Sequence, residues 1–292
     1  MIFCNPVARM KTLLVGNFGA KNIGDELILA SAIDRYPEVL VATADRKYSQ
    51  KFLEKKFETV EPFPTGIKSC THFLFNRDRS LWSYRKDVDL IVFPGGGLFA
   101  IKNKAWWIWG VTVIGLRKMF PRARIELKSQ GVDRPKNWFQ KIILHKVLKN
   151  VHSITVRDKE SAEVLLTLGK EVPVVGDAVE TWLENKVEEF KSLKVNESLK
   201  IVNARAHWLG KWPEADLFLA MEEGDLQFAS TGIKKIFPQT ISETFEIFAS
   251  AKEAVGQRLH FLILAKAFGA NVKTLGVPYA EKVEAWCGEK GI

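Results

Sequence analysis

The chain predicts an α/β protein of two open domains, each a parallel sheet covered by helices, with a cleft between them. Three observations lead there. Short apolar runs alternate with amphipathic ones up to Asp177. A charged helical stretch, "DAVETWLENKVEEFKSLKVNES", then interrupts the alternation. A second alternating set follows, and strand–helix alternation is the pattern of a parallel sheet. The expected division is 1–180, a connecting helix and linker over 181–198, and 199–292.

In chain order, strands are expected at Lys11–Val15, Val39–Thr43, Val88–Phe93, Arg124–Lys128, Ser153–Val156 and Val172–Val175. Each is a short apolar or β-branched run bounded by turn residues. Helices are expected to begin near Asp25, Ser49, Ala105, Asn137 and Asp158, where capping residues or amphipathic spacing appear. In the second half the expected strands are Lys200–Ala204, Leu226–Ala229, Lys234–Phe237, Ala254–Val255 and Val272–Leu275. The helices there are Glu243–Ala251, Arg258–Phe268 and Ala280–Glu289. In open sheets of this kind ligands bind beyond the carboxyl ends of the strands.

Composition narrows the partners. The chain has 292 residues, 47% apolar and 26% charged, as ordinary soluble proteins do. A formal net charge of +9 favours anionic partners. Cys4, Cys70 and Cys287 are few, odd in number and far apart, which argues against a disulfide framework and a zinc site. A reducing compartment, hence the cytoplasm, is expected. "MIFCNPVAR" lacks the apolar region of a signal peptide. "AWWIWGVTVIGL", Ala105 to Leu116, falls short of the roughly 20 apolar residues that cross a bilayer. It reads as a buried helix. The alternative is contact with lipid at the inner face of the cell membrane.

The stretch "GNFGAKNIGDELIL" joins the first strand to the first helix. Glycines at 16, 19 and 24 allow tight turns and close approach. Asn22 is placed to cap the helix, and Asp25 and Glu26 fall in its first turn, where the dipole favours negative charge. The spacing matches neither the dinucleotide fingerprint nor a P-loop. On the residues alone, this is either a structural turn or a substrate loop.

This stretch resembles the N-terminal motif of the polysaccharide pyruvyl transferase family. "DLIVFPGGGLF" is similar to that family's glycine-triplet strand end, and "ITVRDKESAEVLLTLG" to its R-D-x-x-S helix start. "AVGQRLHFLILAKAFGANVKTLGVPYAEKV" resembles its R-L-H segment with the closing Y-x-x-K-V. The resemblance implies two Rossmann-like domains in a glycosyltransferase-B-like arrangement. It also implies transfer of a pyruvyl group from phosphoenolpyruvate to two hydroxyls of one sugar in a cell-surface polysaccharide or its precursor. A ketal and inorganic phosphate result, with no cofactor and no metal. In three places the chain departs from the pattern. "SQGVDRP" keeps Gln130 and Gly131 but places its proline late, "GDAVE" keeps Asp177 without a proline, and "FPQTISETF" offers Glu243 as the following acid.

That chemistry sets requirements. The donor carries a carboxylate and a phosphate, which arginine binds through paired donors. A proton must reach the vinyl carbon and protons must leave the hydroxyls, work suited to histidine. Arg258, Leu259 and His260 are therefore the expected donor residues, with Arg258 gripping the anion and His260 the general acid/base. The bland alternative is an Arg–His pair that caps structure. Arg205, in "IVNARAHW", resembles a second family arginine followed by a slightly displaced Trp208; His207 is expected to be a bystander. Asn17, Asn22, Gly24, Asp25 and Gly95, Gly96 and Gly97 are the expected acceptor or cleft loops, the glycine triplet being otherwise a tight turn. Asp158 or Ser161, beside Arg157, is expected to cap a helix.

Two rivals remain. A nucleotide-sugar glycosyltransferase of the same layout would need a ribose-binding acid, which the second half does not offer clearly. An RNA-binding protein is the remote alternative. Its aromatics would interleave with basic residues, whereas the nine tryptophans include the apolar cluster "AWWIWG". The expected partners are phosphoenolpyruvate and a sugar or lipid-linked saccharide, without nucleic acid.

Overall fold

A computed structural model describes residues 10–64, 80–99, 106–190, 198–205, 213–275 and 281–291. Expectations that rest on Cys4, Cys70, Ala105, His207, Trp208 and Tyr279 lie outside the described residues.

The first sheet contains β1 (Lys11–Val15), β2 (Val39–Ala42), β3 (Glu58–Val60), β4 (Val88–Phe93), β5 (Gly96–Phe99), β6 (Arg124–Val132) and β7 (Ser153–Val156). All its ladders are parallel. Its hydrogen-bonded order is β3-β2-β1-β4-β6, with β5 and β7 also on β6. The register explains the extra pairing. β6 matches Phe93 at Leu127 and Gly96 at Gln130, so β5 continues the line of β4 after the break at Pro94 and Gly95. The strands read as apolar runs because both faces are covered. Leu13, Leu40, Ile91, Phe93, Phe120, Ile125 and Leu127 form the centre of this core.

Helices α1 (Ile23–Arg35), α2 (Arg46–Phe52), α3 (Ser80–Ser83), α4 (Trp106–Met119), α5 (Trp138–Asn150) and α6 (Lys159–Leu166) lie in this half of the chain. Their starts follow local chemistry. Asn137 caps α5 by accepting from the Gln140 amide at 3.0 Å, and Asp158 caps α6 by accepting from Ser161 at 2.8 Å. Burial alone would raise the Asp158 pKa. The Ser161 hydrogen bonds and the Arg157 guanidinium outweigh it and hold the carboxyl below its ordinary value. The capping role expected of Asp158 is the one it plays.

The second sheet is also wholly parallel, in the order β10-β9-β8-β11-β12. Its strands are β8 (Leu199–Val202), β9 (Leu217–Leu219), β10 (Lys234–Ile236), β11 (Ala251–Gly256) and β12 (Asn271–Thr274). The associated helices are α7 (Ala178–Phe190), α8 (Ile241–Ala249), α9 (Leu259–Ala267) and α10 (Glu281–Lys290). Five consecutive residues of α9, Phe261 to Ala265, are buried, so this helix is apolar on every side rather than on one stripe. Phe248 of α8 meets its Phe261 edge-on at 5.4 Å between ring centres.

Some expectations give way. Leu226–Ala229 is not a strand; a 3₁₀ turn runs over Glu223–Phe228, started by a capping box between Glu222 and Asp225. Val172–Val175 makes a single bridge, Val174 to Val156, and Val174 and Val175 stay exposed for want of anything to pack on. β3, β5 and β9, each of three or four residues, were not expected.

Contacts group the chain into two units. The first holds Met1–Ala20, Ile28–Ser49 and Lys56–Ala178; the second holds Lys21–Leu27, Gln50–Lys55 and Val179–Ile292. The division expected from sequence differs in three ways, the first being that Gln50–Lys55 falls in the second unit. The stretch read as a connecting helix packs within the second unit, with Trp182 of α7 beside Phe245 and Glu180 paired with Lys290 at 2.5 Å. Lys21–Leu27 also belongs there, held by backbone hydrogen bonds from Ile23 to Met221 (2.8 Å) and from Glu223 to Lys21 (3.3 Å).

Candidate functional site

In the second sheet the order turns about β8, which lies between β9 and β11. The carboxyl ends of β8 and β11 therefore flank the switch point, where open sheets take ligands. β8 leads to Asn203, Ala204 and Arg205, and β11 leads to Gln257, Arg258 and the start of α9. The two ends are tied together. The Arg205 amide donates to Gln257 Oε1 at 2.8 Å and the Asn203 amide to the Val255 carbonyl at 2.9 Å, while Asn203 Nδ2 donates to the Leu219 carbonyl at the end of β9 at 2.9 Å. Arg205 itself is exposed.

Arg258 is the N-cap of α9 and offers no side-chain cap to its first turn. Its guanidinium turns to two carboxylates instead. Nε donates to Asp225 Oδ2 at 3.0 Å, Nη2 donates to Asp225 Oδ1, and Nη2 also donates to Glu222 Oε2 at 2.6 Å. Asp225 is almost wholly buried and the Arg258 side chain is 17% exposed. Burial works against the guanidinium charge, but the Asp225 hydrogen bond and the charges of Asp225 and Glu222 raise its pKa above the ordinary value. This corrects one expectation: Arg258 is not an open anion ligand. One cation faces two anions, and only its Nη1 group makes no hydrogen bond among the described residues.

Asp225 does further work. Its Oδ2 accepts from the amides of Met221 and Glu222, both at 3.2 Å. The turn so fixed is the one that receives the start of α1. Asn22 bridges Glu222 in antiparallel fashion, and Lys21 Nζ meets Glu223 at 2.7 Å. Asn22 also caps α1 as expected, accepting a long 3.4 Å hydrogen bond from Asp25.

His260 closes the cluster. It is the second residue of α9, and half-buried. A Cβ added to Gly24 would lie 2.0 Å from its Nδ1. The imidazole thus rests against the second residue of α1, where only a glycine leaves room. Arg258, His260, Asn22 and Gly24, expected from separate motifs, meet in one place within one unit. Asp25 lies in the same first turn of α1, and Leu259 opens α9 between Arg258 and His260.

The remaining expected residues, Asn17 and Gly95 to Gly97, belong to the first unit. Asn17 is exposed at the carboxyl end of β1. Gly96 and Gly97 lie within β5, and Gly96 has a φ of 95° that disfavours any side chain. Gly131 packs against Arg157, whose guanidinium would meet a Cβ there at 2.7 Å. Glu243 accepts from the Gln239 amide at 2.7 Å and serves the start of α8. Sequence reasoning missed Asn203, Glu222, Asp225 and Gln257. The capping-box spacing of Glu222 and Asp225 was the one signal available for that pair.

Comparison with known proteins bears on both fold and family. UDP-GlcNAc 2-epimerase from Neisseria meningitidis, solved with UDP-GlcNAc, aligns with a TM-score of 0.58 at 14% identity, covering 95% of this chain and 85% of that one. The Methanocaldococcus jannaschii UDP-GlcNAc 2-epimerase gives 0.55 at 12% identity, over 94% and 87%. The S. aureus MnaA–UDP structure gives 0.55 at 12% identity, over 92% and 79%. These likenesses are of fold, and they bear out the expected α/β class with two Rossmann-like sheets of the glycosyltransferase-B-like type. Among curated proteins no sequence matches. The family model for polysaccharide pyruvyl transferase matches residues 22–277. That span runs from the Asn22 cap through the Arg258–His260 segment, so the clustered residues are those of a member, and the chain belongs to the polysaccharide pyruvyl transferase family.

Proposed function

We propose that this transferase moves the pyruvyl group of phosphoenolpyruvate onto two hydroxyls of one sugar in a cell-surface polysaccharide or its precursor. The observation that carries the reading is His260, seated between the first turns of α9 and α1, with the exposed Arg205 tied through its amide to Gln257, three residues before that histidine. A helix start whose N-cap supplies no side chain leaves its amide end to an anion.

In this reading His260 donates a proton to the methylene carbon of the donor while one sugar hydroxyl attacks the adjacent carbon. The hydroxyl proton returns to the imidazole. Phosphate then leaves, the second hydroxyl adds to the same carbon, and its proton departs with the phosphate. One vinyl group becomes one methyl group, and two C–O bonds to sugar replace the bond to phosphate. Arg205 carries the anion binding, because the Arg258 charge is already matched by Asp225 and Glu222. Arg258 adds its Nη1 group and holds the turn. No cofactor is invoked.

The test is phosphate release from phosphoenolpyruvate in the presence of candidate acceptors, with proton NMR of the product for the ketal methyl. His260→Ala should lower turnover by about 10²–10⁴-fold at unchanged folding. Normal turnover in that variant, or phosphate release without a ketal methyl, would overturn the assignment.

A further inference from the structure

The first unit carries an apolar surface that the proposed chemistry does not use. Trp138 is 74% exposed and Phe139 51%, and Ile142 is also exposed, all at the start of α5. Spacings of three and four put them on one face. On α4, Trp107 and Val111, four apart, are exposed as well. The two helices touch closely: a Cβ on Gly110 would come within 2.3 Å of Ile143 Cγ2. Trp107 and Val111 flank Gly110 along α4, and Phe139 and Ile142 precede Ile143 along α5, so both stripes border that seam.

The charge on these two helices has one sign. Neither helix contains an acidic residue, whereas α4 ends in Arg117 and Lys118 and α5 carries Lys141, Lys146 and Lys149. Lys146 lies four residues beyond Ile142 on the same exposed face. Tryptophan and phenylalanine at an apolar patch rimmed by lysine is the arrangement that suits a bilayer interface with anionic headgroups. It does not suit a span: no helix among the described residues is long and apolar enough to cross a membrane. A water-facing tryptophan with no such use is costly and invites aggregation.

We infer that the α4–α5 face is a membrane-docking surface, with Trp138, Phe139 and Trp107 entering the headgroup region of an anionic leaflet and Lys141 and Lys146 pairing with its phosphates. The inference stands apart from the pyruvyl-transfer reading, since it uses none of the same residues. It would bring the enzyme to an acceptor that is itself held at a lipid surface.

Co-sedimentation of the full chain with vesicles tests it. Binding is expected to vesicles of phosphatidylcholine with phosphatidylglycerol, weakening as salt rises, and not to phosphatidylcholine alone. Trp138→Ala with Phe139→Ala should weaken binding by about tenfold or more, and Lys141→Glu with Lys146→Glu should abolish it at moderate salt. Thermal melting of both variants should match that of the parent protein, because the side chains are exposed. No binding to anionic vesicles at low salt, or equal binding by both variants, overturns the inference. So does a concentration-dependent dimer lost in the same variants without vesicle binding, which would make the face a contact with a second copy.

Discussion

Particular strand ends of the two sheets are built from different materials. In the first sheet β1 and β4 run into glycine-rich turns, although β7 runs into Arg157 and Asp158. Gly16 lies against the Phe18 ring, Gly19 sits at φ 78° against the Asp45 amide and Thr43, and Gly95 and Gly96 pack on Ile28. In the second, the two central strands run into polar and charged residues: Asn203 and Arg205 after β8, Gln257 and Arg258 after β11, with His260 at the helix start. Glycine motifs and ionisable residues looked equally functional in sequence. The structure gives Gly16, Gly19, Gly95 and Gly96 close packing contacts, and places Arg205, Arg258 and His260 at the central strand ends of the second sheet.

The largest effect that would break this contrast concerns Arg258. If the residue served only to grip the donor, Arg258→Ala would leave stability unchanged. Paired as it is with buried Asp225, its loss strands a carboxylate, and about 3 kcal/mol of unfolding free energy should go. Arg258→Lys should recover part of that, since an ammonium restores the charge but not the paired donors. Denaturant melts of both variants decide the matter. A midpoint for Arg258→Ala equal to that of the parent would remove the structural role.

Two glycines sharpen the same contrast. At Gly24 the intruding Cβ meets a side chain, the His260 ring, which can swing aside. Gly24→Ala should therefore fold normally, with alanine favouring the helix by about 0.5–1 kcal/mol. Its turnover should fall about a hundredfold, as expected when a catalytic group is displaced by about 1 Å. At Gly19 the Cβ meets backbone, the Asp45 amide at 2.3 Å, and the φ is left-handed. Gly19→Ala should lose about 1–3 kcal/mol of stability, with turnover per folded molecule preserved. Melting temperature and turnover measured on both variants form a crossed pair. If Gly24→Ala kept full turnover, His260 would not be held where the proposed chemistry needs it.

These outcomes bear on how far a sequence can be read. β1, β4 and β7 were legible to the residue because each is a short, mostly apolar or β-branched run between turn residues. β9, "LFL", is too short to carry a period, and Leu226–Ala229 looked like a strand because its capping box lies in the acids before it. His260 was singled out through the resemblance of its R-L-H segment, the residues alone leaving an Arg–His pair that caps structure as the alternative. Its packing on Gly24 was not legible, because 236 positions of sequence separate the two. The Arg258 pair was hidden for the same reason: its partners Asp225 and Glu222 stand 33 and 36 residues earlier, and nothing local marks them as facing it.

The smallest expected effect lies in the first unit, at the acid that caps α6. Asp158 caps α6 and accepts from Arg157 Nε at 2.9 Å, and its pKa is held below the ordinary value. A carboxyl that ionises more readily in the folded state adds stability above its unfolded pKa and loses it as pH falls through the folded one. Asp158→Ala should therefore cost about 1 kcal/mol at neutral pH. The gap between variant and parent should hold down to about pH 4, the ordinary aspartate value, and close only below it. Asp158→Asn, which can still cap, should recover most of the loss and remove the acid-side dependence. A gap that already narrowed between pH 6 and 5 would mean the carboxyl is not held ionised by Ser161 and Arg157, and that Asp158 is doing something other than capping.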